Sequence, residues 1–145
     1  MKKIMIIIIS ILLLIFFYKT FVNPPANVEV RTKLELIMKE VKNKGYHPIY
    51  FISSGKRNKL YNDLVGGVKN SHHLQGKAID IMVFDVDGDF DFDEKDISII
   101  EQANNKVQKK YPKLIGGFGT YQKTGTYEFW MIHIDVGGYY KRWSY

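Results

Sequence analysis

Ser71-His72-His73-Leu74-Gln75-Gly76-Lys77-Ala78-Ile79-Asp80 begins as a polar turn and runs into an apolar strand, Ala78-Ile79-Asp80-Ile81-Met82-Val83-Phe84. Asp80 is out of place in that run, because a buried carboxylate is costly unless a cation meets it. A second stretch near the C-terminus repeats the pattern: Phe129-Trp130-Met131-Ile132-His133-Ile134-Asp135-Val136. His133 and Asp135 lie two apart and so share one strand face. If the two strands are neighbours, His73, Asp80 and His133 converge on one point. Two imidazoles and one carboxylate, with a fourth position open, are the ligand set of a catalytic zinc ion.

Outward from this pair of strands, the elements alternate. Val28 to Lys44 reads as an amphipathic helix with Leu34, Ile37, Met38 and Val41 on one face, ended by Gly45. Pro48 to Ser53 reads as a buried strand, and Ser54-Gly55-Lys56-Arg57 as a polar turn. Asn58 to Leu64 is a short helical or irregular segment leading to Gly66-Gly67. A further helix spans about Glu94 to Lys110, followed by a glycine-rich strand and turn, Leu114 to Tyr121. No cysteine is present, so neither a disulfide framework nor lipid attachment through a thiol applies. The order of elements argues for an α+β domain: a small, mostly antiparallel sheet with helices on one side.

Between the Asp80 strand and the helix from Glu94 lies an acidic segment, Asp85 to Asp96. Asp85, Asp87, Asp89, Asp93 and Asp96 occupy positions 1, 3, 5, 9 and 12, the ligand spacing of an EF-hand calcium loop. Phe90 stands where that loop requires glycine, and Asp96 where it requires glutamate. The plainer reading is a solvated loop in which Asp93 caps the next helix. Calcium binding is the alternative expectation.

At the N-terminus, two lysines precede an almost wholly apolar run from Ile4 to Tyr18, then Lys19. A basic start and an apolar stretch are the pattern of an export signal. No small-x-small cleavage site follows. The expectation is an uncleaved signal anchor over residues 1–22, with a cleaved signal peptide as runner-up, and the domain outside the cytoplasmic membrane. Asn23-Pro24-Pro25-Ala26-Asn27 then reads as a proline-stiffened linker (23–27), and 28–145 as the domain. The net charge is +6, but setting aside Lys2, Lys3 and Lys19 leaves 18 basic against 15 acidic residues. That is too mild for a nucleic-acid partner.

The chain from Ser53 onward resembles the zinc D-Ala-D-Ala carboxypeptidases of the peptidase M15 type and their endolysin and endopeptidase relatives. Their Ser-Gly-x-Arg, Asn, Gly-Gly-Val and Ser-x-His-x-x-Gly-x-Ala-x-Asp blocks stand as Ser54 to Arg57, Asn62, Gly66-Gly67-Val68 and Ser71 to Asp80. Their second block stands as Gly117-Phe118-Gly119-Thr120-Tyr121, His133-Ile134-Asp135, Gly137 and Arg142-Trp143. The resemblance implies the Hedgehog/D,D-peptidase fold, zinc held by His73, Asp80 and His133, and hydrolysis of peptidoglycan stem peptides. It implies that Arg57 and Ser71 hold the substrate's carboxylate or carbonyl groups.

One departure concerns the proton-transfer group. Many relatives carry a carboxylate or histidine two or three residues before the last zinc ligand, where this chain has Met131 and Trp130. Glu128 and Asp135 are the substitutes: Glu128 as base if a bulge re-aims it, Asp135 as base or as the partner that orients a ligand. A wall-binding module without catalysis is the alternative if neither serves.

Overall fold

The computed structural model describes residues 2–18, 24–91, 93–121 and 130–144. Helix α1 is Lys2–Phe17. Helix α2, Val28–Asn43, buries Val30, Lys33, Leu34, Ile37, Met38 and Val41. This is an i, i+3, i+4, i+7 stripe, which holds a helix against a core. Gly45, at φ +91°, turns the chain away. Strand β1 (Tyr50–Ser54) and helix α3 (Lys59–Leu64) follow, then strand β2 (Ala78–Val83) and helix α4 (Glu94–Lys110). A 3-10 turn at Pro112–Leu114 leads to β3 (Gly117–Tyr121), β4 (Trp130–Asp135) and β5 (Lys141–Ser144).

The five strands form one sheet in the order β1-β2-β4-β3-β5. Alternation divides its faces. Ile79, Ile81, Val83, Ile132, Ile134 and Phe118 form one core with the apolar stripes of α2 and α4. Each such side chain, fully buried, contributes roughly 1.5–3 kcal/mol. The other face carries Asp80, His133 and Asp135. The α+β class and the helices on one face agree with the sequence reading.

The sheet is mixed rather than purely antiparallel. β1–β2, β2–β4 and β4–β3 are antiparallel, while β3–β5 is parallel. After β4 the chain turns back at Gly138 (φ +85°). It is then placed beyond β3 instead of beside β4. A strand antiparallel to β4 must run parallel to β3 from that position.

The N-terminal region is described only in part. Ile4 to Phe17 are all exposed, so α1 is not a core helix. Yet among the described residues no helix is long and apolar enough to cross a membrane. The 16 residues of α1 rise about 24 Å against the ~30 Å of a hydrocarbon core. The expected anchor reaches Val22, and residues 19–23 lie outside the described residues. The segment read as a linker is, from Pro24 on, packed onto the domain. Lys56 N–H donates to the Pro24 carbonyl at 2.9 Å, Asn27 N–H donates to the Gly76 carbonyl at 2.8 Å, and Ala26 is buried.

Candidate metal centre

Register and a turn assemble the cluster. β2 and β4 pair so that Asp80 lies directly opposite His133. Their side chains therefore stand together on the sheet face away from the helices. His73 arrives from a tight turn. Asn62 Nδ2 donates to the carbonyls of Gly67 and Val68, at 3.1 and 3.2 Å, and Ser71 N–H then donates to the Val68 carbonyl at 3.0 Å. Gly76, at φ +71°, closes the turn with its N–H on the His73 carbonyl, in a conformation that favours glycine. The Asn-Gly-Gly-Val block is thus the scaffold that delivers His73.

Three atoms meet: His73 Nε2 lies 3.1 Å from Asp80 Oδ1, His133 Nδ1 lies 2.9 Å from the same oxygen, and the two ring nitrogens are 3.2 Å apart. All three residues are buried. Each imidazole has its remote nitrogen committed. The His73 Nδ1–H donates to the Gly55 carbonyl at 2.6 Å, and the His133 Nε2–H donates to Asp135 Oδ2 at 3.2 Å. In these neutral tautomers both facing nitrogens carry lone pairs. With both rings neutral, two imidazole lone pairs and a carboxylate oxygen face one point, a donor set that a divalent cation satisfies. Tetrahedral zinc with bonds near 2.0–2.1 Å separates its ligand atoms by roughly 3.3 Å. The donor set and its spacing fit such an ion.

The charges of the cluster are tightly coupled. Burial works against the Asp80 carboxylate, but bonds to His133 and His73 overcome it and hold its pKa well below the usual range. Burial likewise disfavours a charged His133, and its bonds to Asp135 and Asp80 outweigh that and raise its pKa. Asp135 is depressed despite burial, by His133 and by the N–H groups of Gly117 and Gly137.

A family model described as Peptidase M15 matches residues 17–135, most of the chain and all three members of the cluster. The chain belongs to the peptidase M15 family. No curated protein and no solved structure matches it. Membership identifies a peptidase, and β5 lies beyond the matched span.

The other residues singled out in the sequence are arranged as follows. Arg57 Nη2 donates to Asp80 Oδ2 and its Nε–H to Ser54 Oγ at 2.7 Å, so the guanidinium braces the carboxylate of the cluster. Ser71 is buried in the turn, where its Oγ accepts the His73 N–H at 3.3 Å. Asp135 lies on the Nε2 side of His133, away from the atoms that face Asp80. Its carboxylate accepts from Gly117 N–H at 2.9 Å and Gly137 N–H at 2.7 Å, and His72 Nδ1 is 3.2 Å away. That placement is the orienting one of the two roles considered for it. Glu128, the other candidate base, lies outside the described residues.

Two further residues contribute, Trp143, named above only as part of a motif, and Lys33, which was not foreseen. Trp143 packs its indole 5.2 Å from the His133 ring across Gly119, where any Cβ would collide with it. Lys33, at a fully buried position of α2, donates from Nζ to the Asp135 carbonyl at 2.7 Å. The signal for Lys33 was a lysine at an inward position of an apolar stripe.

The structure gives the five-ligand calcium expectation no support. Asp85, Asp87 and Asp89 come together, but Asp93 and Asp96 do not join them. Asp96 accepts the N–H groups of Val86 at 2.7 Å and Asp93 at 3.0 Å, and Asp93 caps α4 through Lys95 N–H at 2.7 Å. The Lys95 ammonium lies 2.5 Å from Asp87 Oδ2, in place of a metal. Asp85 is spent on Gly88 and Phe90 N–H groups.

Proposed function

We propose that this M15 peptidase is zinc-dependent and hydrolyses peptide bonds in peptidoglycan stem peptides. The observation that carries the reading is the meeting of His73 Nε2, Asp80 Oδ1 and His133 Nδ1 within 3.2 Å of one another, each side chain held from behind. These three residues would hold the ion. When bound, zinc supplies Lewis acidity and an activated water at neutral pH.

The chain's own residues divide the rest of the work. Gly55 and Asp135 fix the ring tautomers that leave lone pairs inward. Arg57 offsets the charge of Asp80, and its fork has five donors, more than its two contacts consume. The others, with the Ser71 hydroxyl, would hold a stem-peptide carboxylate or carbonyl. Glu128 is assigned the proton transfer to the leaving amine. Residues 1–22 would hold the domain at the outer face of the cytoplasmic membrane.

The test is mass spectrometry of muropeptides digested with the full chain in detergent, which separates amino-acid release from cross-link cleavage. Products that vanish in folded His133→Ala and Asp80→Ala variants support the reading. Sacculus binding with no turnover, unchanged by Glu128→Gln, would instead support a wall-binding module.

A further inference from the structure

Lys33 is 0% exposed, on the helix face that packs against the sheet. Its Nζ has two recorded acceptors, the Asp135 carbonyl at 2.7 Å and Gln108 Oε1 at 3.3 Å. Gln108 Oε1 also accepts Gly116 N–H at 2.6 Å, and Gly117 N–H bonds the Asp135 carboxylate. Gly116 itself is pressed so closely against the Asp135 carbonyl that no side chain fits there. One connected network thus runs from α2 and α4 through the start of β3 to Asp135, and from Asp135 to the Nε2–H of His133.

The chemistry of this choice is informative. A methionine would fill the same space without the desolvation penalty of an ammonium. Burial draws Lys33 down to about 8, only partly offset by the nearby charge of Asp135. Packing alone gives no reason to keep a cation here. Asp135 does: its carboxylate meets the Nε2 of His133 and must be held in place for Nδ1 to face the cluster.

We propose that Lys33 is a positioning residue for the metal centre, acting through Asp135 by gripping its backbone carbonyl and setting a positive charge behind its carboxylate. This rests on the zinc reading above. Lys33 touches neither the ligand atoms nor any place a substrate reaches, so its effect passes wholly through His133.

The experiment uses the full chain in detergent micelles. Zinc affinity is measured by competition with a chromophoric chelator, and the His133 tautomer of the metal-free chain by ¹⁵N shifts of the imidazole. Lys33→Met, shown to be folded by circular dichroism, should bind zinc about 10–100-fold more weakly. It should also lose the single His133 tautomer. Lys33→Arg, which keeps the charge, should recover most of the affinity. A folded Lys33→Met with wild-type affinity and tautomer overturns the proposal. If Lys33→Met does not fold, Lys33→Gln decides: weakened zinc binding supports the role of the charge, and unchanged binding overturns it. Absence of zinc binding by the wild-type chain would sink the zinc reading itself, a separate outcome.

Discussion

At the scale of single residues, Lys33 has a measurable thermodynamic signature. Its folded pKa is lowered to about 8 from 10.5, chiefly by burial. Below pH 8 the ammonium is charged in both folded and unfolded chains, so no dependence arises. Between about 8 and 10.5 the folded chain sheds this proton first, and the unfolded state binds more protons. Stability therefore rises with pH through that window, by at most ~1.4 kcal/mol per unit. The difference in urea-unfolding free energy, wild type minus Lys33→Met, should be flat from pH 6 to 8 and climb from 8 to 10. A difference that stays level across both ranges would mean that the buried ammonium is not perturbed. The sequence offered this residue openly, since 30, 33, 34, 37, 38 and 41 are the inward positions of α2. What hides its role is that a lysine on an amphipathic helix normally extends to solvent.

At the scale of elements, two devices can be tested by substitution. The acidic segment serves α4: Asp93 and Asp96 form a capping box at its N-terminus. Asp93→Ala should cost about 1 kcal/mol of unfolding free energy. Millimolar calcium should leave the melting temperature of the wild type unchanged, and a clear upward shift would restore the EF-hand reading. On the opposite face, Gly119 is the space in which the Trp143 indole lies. Gly119→Ala forces β5 or the indole to move, at about 1–3 kcal/mol. Urea titration followed by tryptophan fluorescence should report both the lower midpoint and a changed native signal. An unaltered spectrum would show that the β3–β5 contact is looser than drawn. These elements also mark what a sequence displays. Asp80 and His133 were legible because each interrupts an apolar strand, and a polar break in such a strand is conspicuous. β5 was not. It is a four-residue edge strand with the exposed pattern of Lys141, Arg142 and Ser144, and only its distant pairing with β3 makes it a strand. The hydrogen-bonding side of Asp135 was equally hidden, since strand parity gives the face but not which imidazole nitrogen it meets.

At the scale of the whole molecule, the question is where the folded unit begins. The core contains no residue of α1 and starts at Ala26. Just after α1, Tyr18 meets the domain: its hydroxyl donates to Tyr61 at 3.1 Å and the two rings lie edge to face at 6.0 Å. Such a part-buried hydrogen bond is worth about 1 kcal/mol. By contrast, residues 24–27 close over the turns that carry Gly55 and His73, through Pro24, Ala26 and Asn27. Asn27 also donates from Nδ2 to the Gln75 carbonyl at 3.2 Å. A chain starting at Pro24 should therefore unfold in urea within about 1 kcal/mol of the full chain in detergent, and should need no detergent to remain dispersed. A chain starting at Val28 gives up three backbone hydrogen bonds, the Asn27 side-chain bond and the burial of Ala26, together about 2–5 kcal/mol. Because Gly55 O holds the His73 ring, it should also bind zinc more weakly. The comparison separates tether from fold. Equal stability of the two truncations would make residues 24–27 a passive linker, whereas the drop expected at Val28 makes them the first part of the site.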